Sequence, residues 1–149
     1  MNGKNLWRPL ACMLALTLAG CVTDTAPPPD LDVSTTRAST NRLYTVAIAP
    51  VAAPVAINKM HAWQIVLTEP SGKPVTNALI GVGGGMPQHA HGFPTQPRVT
   101  KELGGGRYLL EGMKFSMSGW WEIKLDIKST LGADQATFNT VVPTSAKPI

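Results

Sequence analysis

A chain of 149 residues, 44% apolar and 15% charged, is long enough and apolar enough to bury one ordinary hydrophobic core. Its formal charge of +4 comes from scattered Lys and Arg, which excludes the clustered basic footprint of a nucleic-acid-binding protein. Both cysteines, Cys12 and Cys21, fall near the start, so no disulfide can staple the remainder and the fold must rest on its core.

The N-terminus carries Lys4 and Arg8, then an apolar run from Leu10 to Ala19 broken only by Thr17, then Gly20-Cys21. The run is shorter than the roughly 20 apolar residues that cross a bilayer and ends in small residues, the pattern of a secretory signal. Leu18-Ala19-Gly20-Cys21 resembles the lipobox of bacterial lipoproteins. That resemblance implies a signal peptide over residues 1–20 and a mature N-terminus at Cys21 held in the membrane by several acyl chains, an anchor where one chain alone is marginal. Val22 stands where an Asp would favour inner-membrane retention, so the expected location is the periplasmic face of the outer membrane.

Residues 21–41 are rich in Thr, Ser, Ala and Asp, contain Pro27-Pro28-Pro29, and offer few large apolar side chains. They read as a disordered or polyproline-like tether that holds a domain away from the bilayer. Period-two apolar pieces then fill residues 42–142, separated by turn residues. Tyr44, Val46 and Ile48 alternate, Val51 to Ile57 forms a second apolar piece interrupted by Pro54, Trp63, Ile65 and Leu67 alternate in the next, and Ala78, Ile80 and Val82 line a piece that runs into Gly83-Gly84-Gly85. Arg98 to Leu103 and Arg107 to Glu111 flank a glycine turn. In the strongest piece Trp121, Ile123, Leu125 and Ile127 alternate with Glu122, Lys124, Asp126 and Lys128, and Ala136, Phe138, Thr140 and Val142 close the domain ahead of a loose tail at residues 143–149. About seven such strands and no sustained helical period predict an all-β domain, an antiparallel β-sandwich of immunoglobulin-like type. Trp63, Tyr108, Trp121, Ile123, Leu125 and Phe138 are the expected core.

The chemistry concentrates between Gly83 and Gly92. Met86, His89 and His91 lie there among glycines and prolines, a composition that predicts a loop. Residues 89 and 91 project to one side of an extended chain, and thioether with imidazole is a donor set that suits copper. A second pair, Met113 and Met117, flanks Phe115 ahead of the strongest strand and could complete the set, although a methionine beside an aromatic ring also serves as core filler. Trp120 and Trp121 are neighbours on a strand and must face opposite ways, so with Trp121 inside, Trp120 is outside as a possible partner surface or lid. His61 stands alone. Enzyme chemistry finds no foothold: there is no Gly-x-Ser-x-Gly elbow, no His-Glu-x-x-His and no phosphate loop, and the acids are dispersed.

The spaced set Trp63, Ser71-Gly72-Lys73-Pro74-Val75, Met86-Pro87, His89, His91-Gly92, Gly106-Arg107-Tyr108 and Met117-Ser118-Gly119-Trp120-Trp121 resembles the YtkA-like domain, which is similar to the periplasmic part of FixH proteins. The resemblance covers roughly residues 63–127. It implies a small extracytoplasmic β-sandwich connected with copper handling or cytochrome oxidase assembly, and the chain departs from FixH in using a lipid anchor where FixH keeps a membrane helix. The expected function is therefore a membrane-anchored, non-enzymatic lipoprotein that binds copper through Met86, His89, His91, Met113 and Met117, with an envelope metalloprotein or copper-handling protein as partner. The alternative is a structural or interaction module of the cell envelope that binds no metal.

Overall fold

The computed structural model describes residues 26–144; the expected signal peptide, Cys21 and the last five residues of the tail lie outside them. Nine strands form two antiparallel sheets. They are β1 (Thr36–Ala38), β2 (Thr45–Pro50), β3 (Met60–Thr68), β4 (Leu79–Met86), β5 (His91–Gly92), β6 (Arg98–Gly104), β7 (Arg107–Lys114), β8 (Gly119–Ser129) and β9 (Gly132–Val142). One sheet runs β1-β2-β3-β7-β6 and the other β5-β4-β8-β9. Setting β1 aside, this is the immunoglobulin arrangement, in which the first, second, fifth and fourth strands face the third, sixth and seventh, with a short extra strand beside the third. The all-β sandwich expected from the alternation is the fold of the chain.

Alternation put the inward residues where they are found. Trp63, Ile65 and Leu67 of β3, Tyr108 and Leu110 of β7, and Trp121, Ile123, Leu125 and Ile127 of β8 are all buried, as is Phe138 of β9. In antibody domains a disulfide joins the strands equivalent to β3 and β8. Here each of these strands carries a Trp, and Phe115 packs against both rings, 6.5 Å from Trp63 and 5.3 Å from Trp121 between centroids. Aromatic packing thus bridges the sheets in a domain that has no cysteine. A fully buried large apolar side chain contributes roughly 1.5–3 kcal/mol, more than any of the surface ion pairs can.

Three features depart from the sequence reading. The glycine run expected as a loop is the end of β4, paired with β8 from Leu79↔Lys128 to Gly85↔Glu122. The apolar piece from Val51 to Ile57 is not a strand but part of the connection between β2 and β3, in keeping with Pro54 at its centre. The presumed tether is not free over its whole length either, because β1 pairs with β2 from Thr36↔Ala47 to Ala38↔Thr45. What orders this polar segment is hydrogen bonding, which a hydrophobic pattern does not reveal. Asp134, buried on β9, accepts hydrogen bonds from Ser39 Oγ at 2.6 Å, from the Asn41 backbone and side chain, and from the Leu43 and Gln135 amides. Thr40 N–H donates to the Gln135 carbonyl at 2.8 Å.

Burial pushes the Asp134 carboxyl up, but the hydrogen bonds from Ser39, Asn41, Gln135 and Leu43 outweigh it and hold the pKa down at about 2, against an ordinary 3.8. A depressed folded-state value contributes stability that is fully present above the unfolded value and is lost as pH falls from there through the folded one. The acid limb of thermal stability between about pH 4 and pH 2 is therefore expected to flatten in Asp134→Asn, whose midpoint near neutral pH falls below that of the parent. Parallel acid limbs in calorimetric scans of the two proteins would remove Asp134 from this role.

Candidate functional site

One end of the sandwich gathers three connections: residues 51–59 between β2 and β3, residues 87–90 between β4 and β5, and residues 115–118 between β7 and β8. The registers place them together, since Met60 pairs with Lys114, Met86 with His91, and Gly119 with Val142 at the extremity of β8 and β9. His89 and His91 stand here, exposed, with stacked rings whose centroids are 5.8 Å apart.

The glycines serve close approach. A Cβ on Gly85 would overlap the carbonyl of His91, so only glycine lets β5 return against β4. Gly84 has φ +136°, and a Cβ there would overlap the Glu122 carbonyl and lie 3.0 Å from the Phe93 ring. With that space left open, Phe93 stacks on Trp121 at 5.6 Å and 7° and meets Phe115 edge-on at 5.9 Å. Thr95 adds a 2.6 Å hydrogen bond from its hydroxyl to the Gly112 carbonyl. The segment after the histidines is therefore tied to the core, and His91 sits 6.0 Å from Trp121.

The methionines divide. Met86 and His91 are directly opposite in the register, which puts their Cβ atoms on one face about 4.5–5.5 Å apart. Met86 is buried, with its methyl carbon 3.3 Å from where a Cβ of Gly119 would lie. Met117 is 42% exposed, and its carbonyl accepts the Trp121 indole N–H at 3.1 Å, so one aromatic ring neighbours both His91 and the Met117 backbone. Met113 is fully buried on β7 opposite His61, in line with its reading as core filler and not with its inclusion among the open donors. The extended alternation that would have aimed Met113 and Met117 alike ends with the strand at Lys114.

Trp120 faces away from the core as expected, but it is only half-exposed and its indole N–H donates to Asn139 Oδ1 at 2.9 Å. His61, given no role by the sequence, has its Nε2 2.8 Å from the Ala56 carbonyl and thereby pins the connection between β2 and β3. Phe93 and Phe115 were missed as site-forming residues; the only signal was an aromatic residue shortly after each candidate ligand. Glu122, which pairs with Gly85, has its carboxylate 2.9 Å from Lys124 Nζ. Among the described residues no three His, Cys, Asp or Glu side chains converge, so a metal at this end would have to draw on thioether sulfur as well as imidazole.

The fold and this arrangement define a small immunoglobulin-topology β-sandwich with its candidate ligands on a hairpin and a neighbouring connection at one end. Residues 38–126 match the YtkA-like family, and the chain belongs to it. The match begins in β1, ahead of the motifs that first suggested the relationship. No curated protein matches the chain. Among solved structures the ZirS C-terminal domain is similar, at 10% identity over 93% of this chain and 86% of that one, with a TM-score of 0.42.

Gly84→Ala forces a side chain onto a positive φ and into the Glu122 carbonyl, and it is expected to destabilise the domain by roughly 1–3 kcal/mol. Denaturant unfolding checks this. A midpoint within error of the parent would mean that the β4–β8 approach is not constrained at this glycine.

Proposed function

We propose that this chain is a lipid-anchored extracytoplasmic protein, without catalytic activity, that binds one copper ion at the Met/His end of its sandwich and acts in copper handling or metalloprotein assembly. The observation that carries this reading is the solvent-open pair of imidazoles, 5.8 Å apart, of which His91 lies opposite Met86 and shares the Trp121 ring with the Met117 backbone. Modest side-chain rotations suffice to bring one nitrogen of each ring to the roughly 2.0–2.1 Å that an imidazole–metal bond requires. Soft thioethers favour copper(I), for which low coordination numbers suffice, and thioether avoids the disulfide chemistry that thiolate ligands undergo outside the cytoplasm. Met113 stays behind the site as packing. Anchoring through Cys21, with the outer membrane as its destination, rests on the signal and lipobox pattern at the N-terminus. A copper-handling or metalloprotein partner in the envelope follows from the same reading.

Copper binding takes the neutral form of imidazole, so affinity is expected to weaken as pH falls through the range in which imidazole protonates, whereas a thioether-only site would respond far less. Replacing both His89 and His91 by Ala is expected to remove most copper binding under reducing conditions while leaving the thermal transition of the metal-free protein nearly unchanged, because both rings are exposed. Metal analysis after gel filtration, alongside calorimetry, measures both. Stoichiometric copper on the double variant, or none on the parent, would eliminate this site. Metal-independent capture of an envelope protein by the parent would favour the interaction-module reading.

A further inference from the structure

The N-terminal segment is laid along the domain from β1 back to the Met/His end. Thr35 C=O accepts from Ile48 N–H at 2.8 Å, and the Asp32 carboxylate pairs with Arg37 at 2.9 Å while Arg37 covers the Phe138 ring at 5.1 Å. Upstream of these, the Asp32 carbonyl accepts from Asn139 Nδ2 at 2.8 Å, and Leu31 N–H closes a turn on the Pro28 carbonyl at 3.1 Å. The segment then reaches the Met/His hairpin, where the Ala26 carbonyl accepts from Gln88 Nε2 at 2.9 Å. Gln88 lies between Met86 and His89. Cys21 is five residues before Ala26, and five residues span at most about 18 Å even when fully extended.

We propose that the Met/His end of the sandwich rests against the phosphate-bearing surface of the bilayer that holds Cys21, so that the candidate metal site is presented to the membrane and not to the open periplasm. The proposal rests on the lipid-anchor part of the preceding reading and is independent of copper. The surface chemistry of this end is compatible with that placement. The connections over residues 51–60, 86–97 and 114–119 contain no Asp or Glu, and they carry Lys59, Lys114, His89 and His91. Val51 and Met60 are 61% and 63% exposed there, alongside the half-exposed Met117. Apolar tips beside Lys59 and Lys114, with the neighbouring Glu122 paired to Lys124, are compatible with the headgroup region of an anionic bilayer. The opposite end also carries charge, with Glu69, Glu102 and Asp126 beside Lys73, Lys101, Arg107 and Lys128, so it is the path of the N-terminal segment that distinguishes the two ends. The two ends are about 30–35 Å apart, the length of the eleven-residue strands β8 and β9.

The full-length lipoprotein, matured in bacterial membranes and reconstituted into vesicles of phosphatidylethanolamine and phosphatidylglycerol, provides the test. With Cys12 removed and Cys21 acylated, one introduced cysteine is the sole free thiol. A donor dye on Val51→Cys or Met60→Cys is expected to transfer energy to an acceptor dye on the lipid headgroups severalfold more efficiently than the same dye on Leu131→Cys or Leu103→Cys at the opposite end. Equal transfer from both ends in the parent chain, or stronger transfer from Leu131→Cys, would overturn the proposal. Flotation distinguishes the two readings: a parent protein that fails to float with vesicles, or a Cys21→Ser variant that floats equally well, overturns the anchor reading and the orientation with it. A floating protein with the wrong end near the lipid overturns the orientation alone. Copper content, measured on the same samples, bears on neither outcome.

Discussion

Packing around Trp121 is the constraint on which the rest of the structure depends. Its ring stacks on Phe93, meets Phe115 edge-on and approaches His91, and its indole N–H holds the Met117 carbonyl. It therefore joins the two sheets through Phe115 and Trp63, and it also fixes both connections that carry candidate ligands. An aromatic pair in such an arrangement contributes about 0.5–1.5 kcal/mol beyond its buried area, and a ring that takes part in several is correspondingly hard to replace. A domain without disulfides obtains from this cluster the cross-sheet tie that a cystine would otherwise provide.

The same tie shapes what the exposed end can do. His89 and His91 reach solvent, yet the chain on either side of them is held, by the Met86↔His91 pairing before and by Phe93 and Thr95 after. Candidate ligands presented this way would lose little conformational freedom on binding, so that more of any metal–ligand bond would appear as affinity. The N-terminal segment adds a second kind of placement. By running past Asn139 to Gln88 it leaves only a short stretch of chain between the domain and Cys21. If Cys21 is lipidated as proposed, an anchor this short would restrain orientation as well as location, which a long free tether would not.

Much of the fold was legible because β3 and β8 alternate cleanly and β7 and β9 do so over most of their length, each having one face in the core and one toward solvent. The sandwich and the inward position of Trp121 follow from that period, whereas Met86 groups with the two histidines because they are close in the sequence. What stayed hidden rests on polar or backbone interactions. Thr36–Ala38 became a strand through main-chain pairing and through the Asp134 hydrogen bonds, neither of which leaves a hydrophobic signature. Gly83 to Gly85 looked like a loop because glycine usually marks one, whereas here the missing side chains admit the Glu122 and His91 carbonyls and the Phe93 ring. Met113 and Met117 could not be told apart because their difference depends on where β7 stops.

Amide hydrogen exchange in Phe93→Ala tests most directly whether the aromatic cluster is what holds the ligand-bearing hairpin. If it is, protection of the Met86, His89 and Gly92 amides falls by orders of magnitude toward that of open loops, while β3 and the far half of β8 keep theirs. Unchanged protection at the hairpin would contradict the account and leave the β4–β5 pairing as the sole restraint. Uniform loss across both sheets would contradict it too, by making Phe93 a general core residue with no particular hold on the site.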